Sequence, residues 1–124
     1  MFPHAKIKPL STIKIIQGNT GNYSPTLTYK NELLSILGEG VFLMLIVKTP
    51  MGETVLSKTL TGNEEGTAIS FDFSPTDTIQ LAPFKYYYSI DLYAGNGQET
   101  YYTLERGIFD LIRPVGTFED ITIQ

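Results

Sequence analysis

The chain has 124 residues, with nine basic and thirteen acidic side chains and a formal net charge of −4. This length suits one domain with one core, and an acidic chain without a Lys or Arg cluster is a poor nucleic-acid binder. With no cysteine, disulfides and thiolate metal sites are excluded. No apolar run approaches the roughly 18 residues of a membrane span, and the N-terminus lacks a signal-peptide pattern, so we expect no membrane partner.

Gly, Pro, Asn, Ser and Thr interrupt short β-rich runs at intervals of roughly ten residues, a spacing typical of an all-β sandwich or barrel. We therefore predict an antiparallel β-sandwich over residues 12–124, preceded by a flexible N-terminal segment over residues 1–11.

The first strand is predicted over residues 12–17, and a second run follows over residues 23–30. Pro25 within that run indicates an edge position or a bulge, since proline cannot donate to a strand ladder. Residues 31–40 are ambiguous between one helical turn and a short strand.

Residues 41–49 form a predicted strand that is apolar on both faces, because Phe42, Met44 and Ile46 alternate with other large aliphatic residues. A two-layer sandwich offers each strand only one core-facing side, so one of the two apolar sets needs another cover. The connection over residues 31–40 could fold over it within the chain. Self-association or docking onto another protein is the alternative that we prefer.

Residues 53–61 are predicted to return as a hairpin partner, with Thr54, Leu56 and Leu60 facing inward. A clean amphipathic strand follows over residues 67–73. Ser74 then has the chemistry of a helix N-cap, with Pro75 at the first helical position and an acid in the first turn. One helical turn is expected there, extending to about Leu81.

Two β-rich runs, residues 84–93 and 99–104, flank Ala94-Gly95-Asn96-Gly97. Asn96-Gly97 is a strong hairpin signal, since both residues tolerate positive φ. A separate last strand is expected over residues 108–113 after Gly107, with a tail or short strand over residues 119–124. The residues predicted to be buried are Ile69, Phe71, Phe73, Tyr86, Tyr88, Ile90, Leu92, Leu104, Phe109 and Leu111.

Catalytic chemistry finds little support in the sequence. His4, the only histidine, lies next to Pro3 near the end of the chain, and a general base needs a defined position. The carboxylates match no calcium-loop spacing, and the glycine-rich segments lack a P-loop lysine. We therefore predict no enzyme, no catalytic residue, no metal and no cofactor, although carboxylates paired only in space stay open.

Tyrosines provide the stronger functional signal. The alternation places Tyr87, Tyr93 and Tyr101 on the wet face of the hairpin, where they could pair across strands, form a protein interface or stack on sugars. The candidate interaction surface comprises Tyr87, Tyr93, Tyr101, Phe42, Met44 and Ile46.

Several short motifs occur in an order that resembles a known family. They are Ile15-Ile16-Gln17-Gly18-Asn19-Thr20, Phe73-Ser74-Pro75-Thr76-Asp77-Thr78, Tyr86-Tyr87-Tyr88-Ser89-Ile90-Asp91-Leu92, Gly107-Ile108-Phe109-Asp110-Leu111 and Asp120-Ile121-Thr122. This order resembles the N-terminal domain of phage baseplate upper proteins from tailed phages of Gram-positive bacteria. Ser89 stands where that family commonly has an aspartate.

The resemblance implies an Ig-like β-sandwich of about seven or eight strands with one short helical turn. It also implies a non-catalytic assembly adaptor of a phage or prophage tail or baseplate. Its partners would be other tail or baseplate proteins or copies of itself, in the virion or in the bacterial cytoplasm during assembly. A small carbohydrate-binding module that uses the exposed tyrosines is the alternative.

Overall fold

A computed structural model of the chain describes residues 11–94 and 100–114. These residues contain one short helix, α1 (Pro75–Thr78), and strands of two to thirteen residues. The strands are β1 (Ser11–Ile16), β2 (Gly21–Tyr23), β3 (Leu27–Tyr29), β4 (Glu32–Leu34), β5 (Ile36–Leu37), β6 (Val41–Lys48), β7 (Thr54–Thr61), β8 (Thr67–Ala68), β9 (Phe71–Phe73), β10 (Phe84–Ala94) and β11 (Thr100–Ile112).

Five of these strands form one large sheet in the order β1-β11-β10-β6-β7. Its neighbours are antiparallel except for β1, which runs parallel to β11. The other strands pair as β2–β9, β3–β4 and β5–β8. The predicted all-β, sandwich-like fold with one short helical turn is confirmed, and the three short pairs raise the number of described strands to eleven.

The core lies between the large sheet and the short strand pairs. Inward side chains of β1, β6, β10 and β11 meet apolar side chains from β3, β5 and β9 in one buried cluster. Nine of the ten predicted core residues are buried, and Leu104 is half-buried. Phe73 and Phe109 meet edge to face across the core, with ring centroids 5.6 Å apart. Alternation alone was therefore sufficient to identify most of the core.

The run over residues 23–30 is not one strand. It breaks between β2 and β3, around Pro25, a residue that cannot donate to a ladder. Lys30 and Asn31 then take left-handed φ angles of 55° and 68°, which reverse the chain into β4. Residues 31–40 thus form two short strands rather than a helical turn.

The last strand also differs from expectation. Gly107 does not begin a new strand, because β11 continues through it and pairs it with Tyr88. A bulge interrupts the β10–β11 ladder: Ile90 is opposite Glu105, Asp91 is opposite Thr103, and Leu104 is the extra residue. The proposed Asn96-Gly97 tip and the tail over residues 119–124 lie outside the described residues.

The helical turn begins as predicted and ends earlier, at Thr78 rather than near Leu81. The Ser74 N–H donates to Asp77 Oδ2 at 2.7 Å, which satisfies one donor at the helix start. The prediction that Thr54 faces inward is wrong. A bulge places Thr54 opposite Lys48 on the outer face. Lys58 takes an inward position between Leu56 and Leu60, because it lies opposite the buried Leu45.

Candidate docking face

The outer face of the large sheet carries the apolar side chains of β6 that the core does not use. Leu43, Leu45 and Val47 point inward, and each is 0% exposed. The alternate residues Phe42, Met44 and Ile46 point outward and are half-buried. Strand β6 lies between β10 and β7 in the sheet, so these two neighbours supply this partial burial.

Cross-strand pairing brings five predicted interface residues together. Phe42 lies opposite Tyr93, and Tyr93 lies opposite Tyr101 on the far side of β10. Residues directly opposite each other project on the same side of a sheet. Phe42, Met44, Ile46, Tyr93 and Tyr101 therefore form one contiguous group, the outer patch.

Tyr87 shares this face and lies in the row next to Ile46, at the opposite end of the outer patch from Tyr93 and Tyr101. It is 51% exposed, and it pairs with Lys48 on one side and Ile108 on the other. Six residues separate it from Tyr93 along β10, which corresponds to about 20 Å in an extended strand. The three tyrosines predicted to act together thus divide into a pair and a single residue.

Within the outer patch, Tyr93 and Tyr101 touch each other. Their ring centroids are 4.9 Å apart, and the ring planes are inclined by 43°. Tyr101 is 56% exposed. This pair presents an aromatic surface to solvent but no flat platform.

Asp91 is the site residue that the sequence did not reveal. Asp91 is only 2% exposed, although it lies on the outer face opposite Met44. Tyr101 Oη donates to Oδ2 at 2.9 Å and Thr103 Oγ1 donates to Oδ1 at 2.9 Å, with a longer contact from Ser89. The alternation placed Asp91 on the wet side and gave no sign of these hydroxyls, which the β11 bulge brings over it.

The carboxylate also changes the chemistry of the exposed tyrosine. The hydrogen bond to Asp91, together with its negative charge, raises the pKa of Tyr101 to about 12. Tyr101 is therefore a neutral donor at physiological pH, and the bond fixes its ring over the patch.

Residues 31–40 do not cover the outer face of β6, so the suggestion that this connection could fold over it is wrong. Leu37 is fully buried in the core, and Leu34 packs against it from β4. That segment lies on the inner side of the large sheet. No other part of the described chain supplies a strand over the outer face.

Beyond the patch, the same face becomes polar. Asp110 lies opposite Lys14 of β1 and Lys85 of β10, so charges of both signs alternate across three strands.

A shallow depression of about 350 Å³ is lined by Tyr87, Tyr88, Arg106 and Gly107. Among the described residues there is no group of three His, Cys, Asp or Glu side chains that could hold a metal ion.

The chain was compared with models of known families, with curated proteins and with solved structures, and nothing matched. Within residues 11–94 and 100–114, no helix is long and apolar enough to cross a membrane. A functional interpretation therefore depends on the geometry of the outer face and on the short motifs of the sequence.

Proposed function

We propose that this chain is a non-catalytic structural protein of a phage or prophage tail or baseplate, and that it acts as an assembly adaptor through the outer patch. One observation carries the docking role. Five large apolar or aromatic side chains are contiguous on a sheet face that no other described strand covers. Contiguous apolar patches of this kind are typical of protein-binding surfaces.

The composition of the patch supports a protein partner. Aromatic residues and methionine are enriched in the cores of protein interfaces, and charged residues are depleted there. The outer patch consists of two tyrosines, a phenylalanine, a methionine and an isoleucine, and Asp91 lies among them opposite Met44. Lys48, two residues beyond Ile46 on the same face, and Arg106, opposite Ser89, border the patch and resemble the wet rim of an interface.

The phage assignment depends on the sequence motifs, in particular Phe73-Ser74-Pro75-Thr76-Asp77-Thr78 and Tyr86-Tyr87-Tyr88-Ser89-Ile90-Asp91-Leu92, and on a sandwich-like fold that suits a baseplate domain. The expected partners are other tail or baseplate proteins, or further copies of this chain.

A carbohydrate-binding module is the second candidate, and the geometry favours it less. Sugar stacking needs exposed ring faces aligned along a groove. Here two rings are inclined by 43° and in contact, and Tyr87 is about 20 Å away along the strand. A broad patch is better suited to a protein surface.

The experiment is coexpression with the products of the genes that flank its own. We expect copurification with a tail or baseplate protein. Met44→Glu places a charge at the centre of the outer patch and should abolish that copurification. Thr12→Glu makes the same charge change on an exposed residue of β1 and should preserve it. Circular dichroism confirms that both variants are folded.

Two results would count against the proposal. One is a gene neighbourhood without tail, baseplate or lysis genes. The other is copurification that Met44→Glu leaves intact, which would place the contact elsewhere on the molecule. Binding of cell-wall polysaccharide that is lost on Tyr93→Ala would favour the carbohydrate module instead.

A further inference from the structure

An exposed tyrosine on the outer face lies between two basic side chains. Tyr87 is 51% exposed, and Lys48 of β6 lies directly opposite it. On the other side of β10, Arg106 pairs with Ser89, two residues along the strand from Tyr87. Both basic residues are exposed. Strand spacing puts their Cα atoms about 12 Å apart, so the two long side chains can reach one group bound between them.

These two cations are not balanced by carboxylates. Within the described part of the chain, neither has an oppositely charged group within 4.0 Å. Asp91 is 2% exposed, and both of its oxygens already accept hydroxyl groups. Asp110 lies between Lys14 and Lys85 in the register and faces those lysines instead. The chain has a net charge of −4, so this pair of positive charges runs against its overall balance.

The depression of about 350 Å³ lies at the same place, because Tyr87 and Arg106 line it together with Tyr88 and Gly107. Tyr88 and Gly107 are opposite each other, and Tyr88 is 3% exposed with its side chain in the core. These two residues therefore contribute their backbone to the floor of the depression. Its volume is near the lower end of the range for small-molecule sites, which suits a small ligand.

We propose that this depression binds a phosphate monoester, with the phosphate between Arg106 and Lys48 and the organic part against the ring of Tyr87. A guanidinium group donates parallel N–H bonds to phosphate oxygens, and the lysine adds a second cation. A phosphate monoester carries about −1.5 to −2 charges at neutral pH, which matches two unpaired cations better than a carboxylate does. None of the five residues of the outer patch lines the depression, so this site does not depend on the adaptor role.

The ring of Tyr87 accounts for the organic part of the ligand. An exposed aromatic ring offers a π-face on which a sugar or a nucleotide base can pack. Inorganic phosphate would satisfy the two cations and leave this ring unused. We therefore expect an ester to bind more tightly than the free anion.

NMR titration of the folded chain with defined probes tests the site. At constant ionic strength, glucose 6-phosphate should shift the amide signals of Tyr88 and Gly107 and bind roughly five-fold or more tightly than glucuronate. Glucose has no anionic group and should leave these signals unchanged. Equal binding of all three sugars, or shifts spread evenly over the surface, would overturn the proposal.

Charge-neutralising variants locate the phosphate. Arg106→Gln should weaken the binding of glucose 6-phosphate by roughly ten-fold, because it removes charged hydrogen bonds, and Lys48→Gln should weaken it by a smaller factor. Lys14→Gln makes the same change on an exposed residue of β1 and should leave the affinity unchanged. Circular dichroism confirms that the variants are folded. Equal losses in Arg106→Gln and Lys14→Gln would mean that the general charge of the face attracts the anion, and the proposal would fail.

The aromatic contact is tested separately. Tyr87→Ala should reduce the affinity for glucose 6-phosphate to that for inorganic phosphate, while inorganic phosphate binds as before. Adenosine monophosphate in the same titration distinguishes the two kinds of ring, since the ester that loses more affinity in Tyr87→Ala is the one that packs better on the tyrosine. Unchanged affinity for both esters would overturn the placement of the ligand against Tyr87.

Discussion

The Tyr23 hydroxyl donates to Glu105 Oε2 at 2.5 Å and so joins residues that are 82 positions apart in the chain. The same oxygen accepts the Tyr88 hydroxyl, also at 2.5 Å. Because β2 belongs to a short pair and β10 and β11 to the large sheet, this carboxylate links the two sides of the sandwich. Burial, followed by the hydrogen bond to Glu105, raises the pKa of both tyrosines, which stay protonated donors at neutral pH.

Glu105→Leu should therefore destabilise the fold. Its removal leaves two partly buried hydroxyls without their acceptor, and each unsatisfied donor costs about 1–3 kcal/mol. The free energy of unfolding from denaturant titration measures the loss. Glu32→Leu, at an exposed position of β4, should change stability by less than about 0.5 kcal/mol. Similar values for the two variants would mean that the carboxylate does not join the layers.

A core substitution tests the predicted inward face of β9. Phe71 is 1% exposed, so Phe71→Ala should lose about 3–5 kcal/mol through lost burial and a residual cavity. Phe84 is 51% exposed, and Phe84→Ala makes the same chemical change with a much smaller loss. Urea denaturation of both variants provides the comparison. A loss below about 1 kcal/mol for Phe71→Ala would contradict its burial.

The core could be predicted from sequence, whereas the outer site could be predicted only in part. Alternation identified Phe71, Tyr88 and Phe109 because each strand has one apolar side. The burial of Asp91 could not be predicted in this way. It depends on hydroxyls from another strand, and the bulge at Leu104 that positions them depends on long-range pairing.

Tyr101 should titrate at high pH in a manner that depends on Asp91. Its pKa is raised to about 12, against an ordinary value of about 10. A raised tyrosine pKa contributes stability that is complete below about pH 10 and is lost as the pH rises through the folded-state value. Asp91→Asn should move the transition toward the ordinary value. Ultraviolet absorbance of tyrosinate follows it, and Tyr101→Phe identifies the signal. An unchanged titration in Asp91→Asn would show that the hydrogen bond does not control Tyr101.

Asp77 should make stability depend on acid pH. Burial opposes the shift, but the hydrogen bond from Lys58, the Ser74 N–H and the lysine charge outweigh it and lower the pKa of Asp77. Lys58 Nζ lies 2.6 Å from its carboxylate. The stabilisation is thus present above the unfolded-state pKa of about 3.9 and is lost as the pH falls through the folded-state value. Asp77→Asn should cost about 0.5–1 kcal/mol at pH 7, and the difference from wild type should shrink as pH falls below 4. A constant difference across that range would exclude the charge as its origin.

Gly107 should tolerate no side chain, although its φ is not the reason. A Cβ at this position would lie 2.1 Å from the Ser11 carbonyl oxygen and 2.8 Å from Cε1 of the Tyr88 ring. The parallel strand β1 begins at Ser11, directly opposite Gly107, so Gly107→Ala must displace backbone. We expect a loss of about 1–3 kcal/mol, as for other overpacked sites.

Gly38→Ala is the matched control, because a Cβ there would meet no heavy atom within 4 Å. Amide hydrogen exchange shows which strands lose protection. In Gly107→Ala, protection should fall first in β1, which has β11 as its one neighbour among the described strands, while the β6–β7 ladder keeps its protection. Equal stability of the two alanine variants would mean that β1 does not pack against Gly107 in solution. Uniform loss of protection across the sheet would mean that β1 unfolds only together with the rest of the domain.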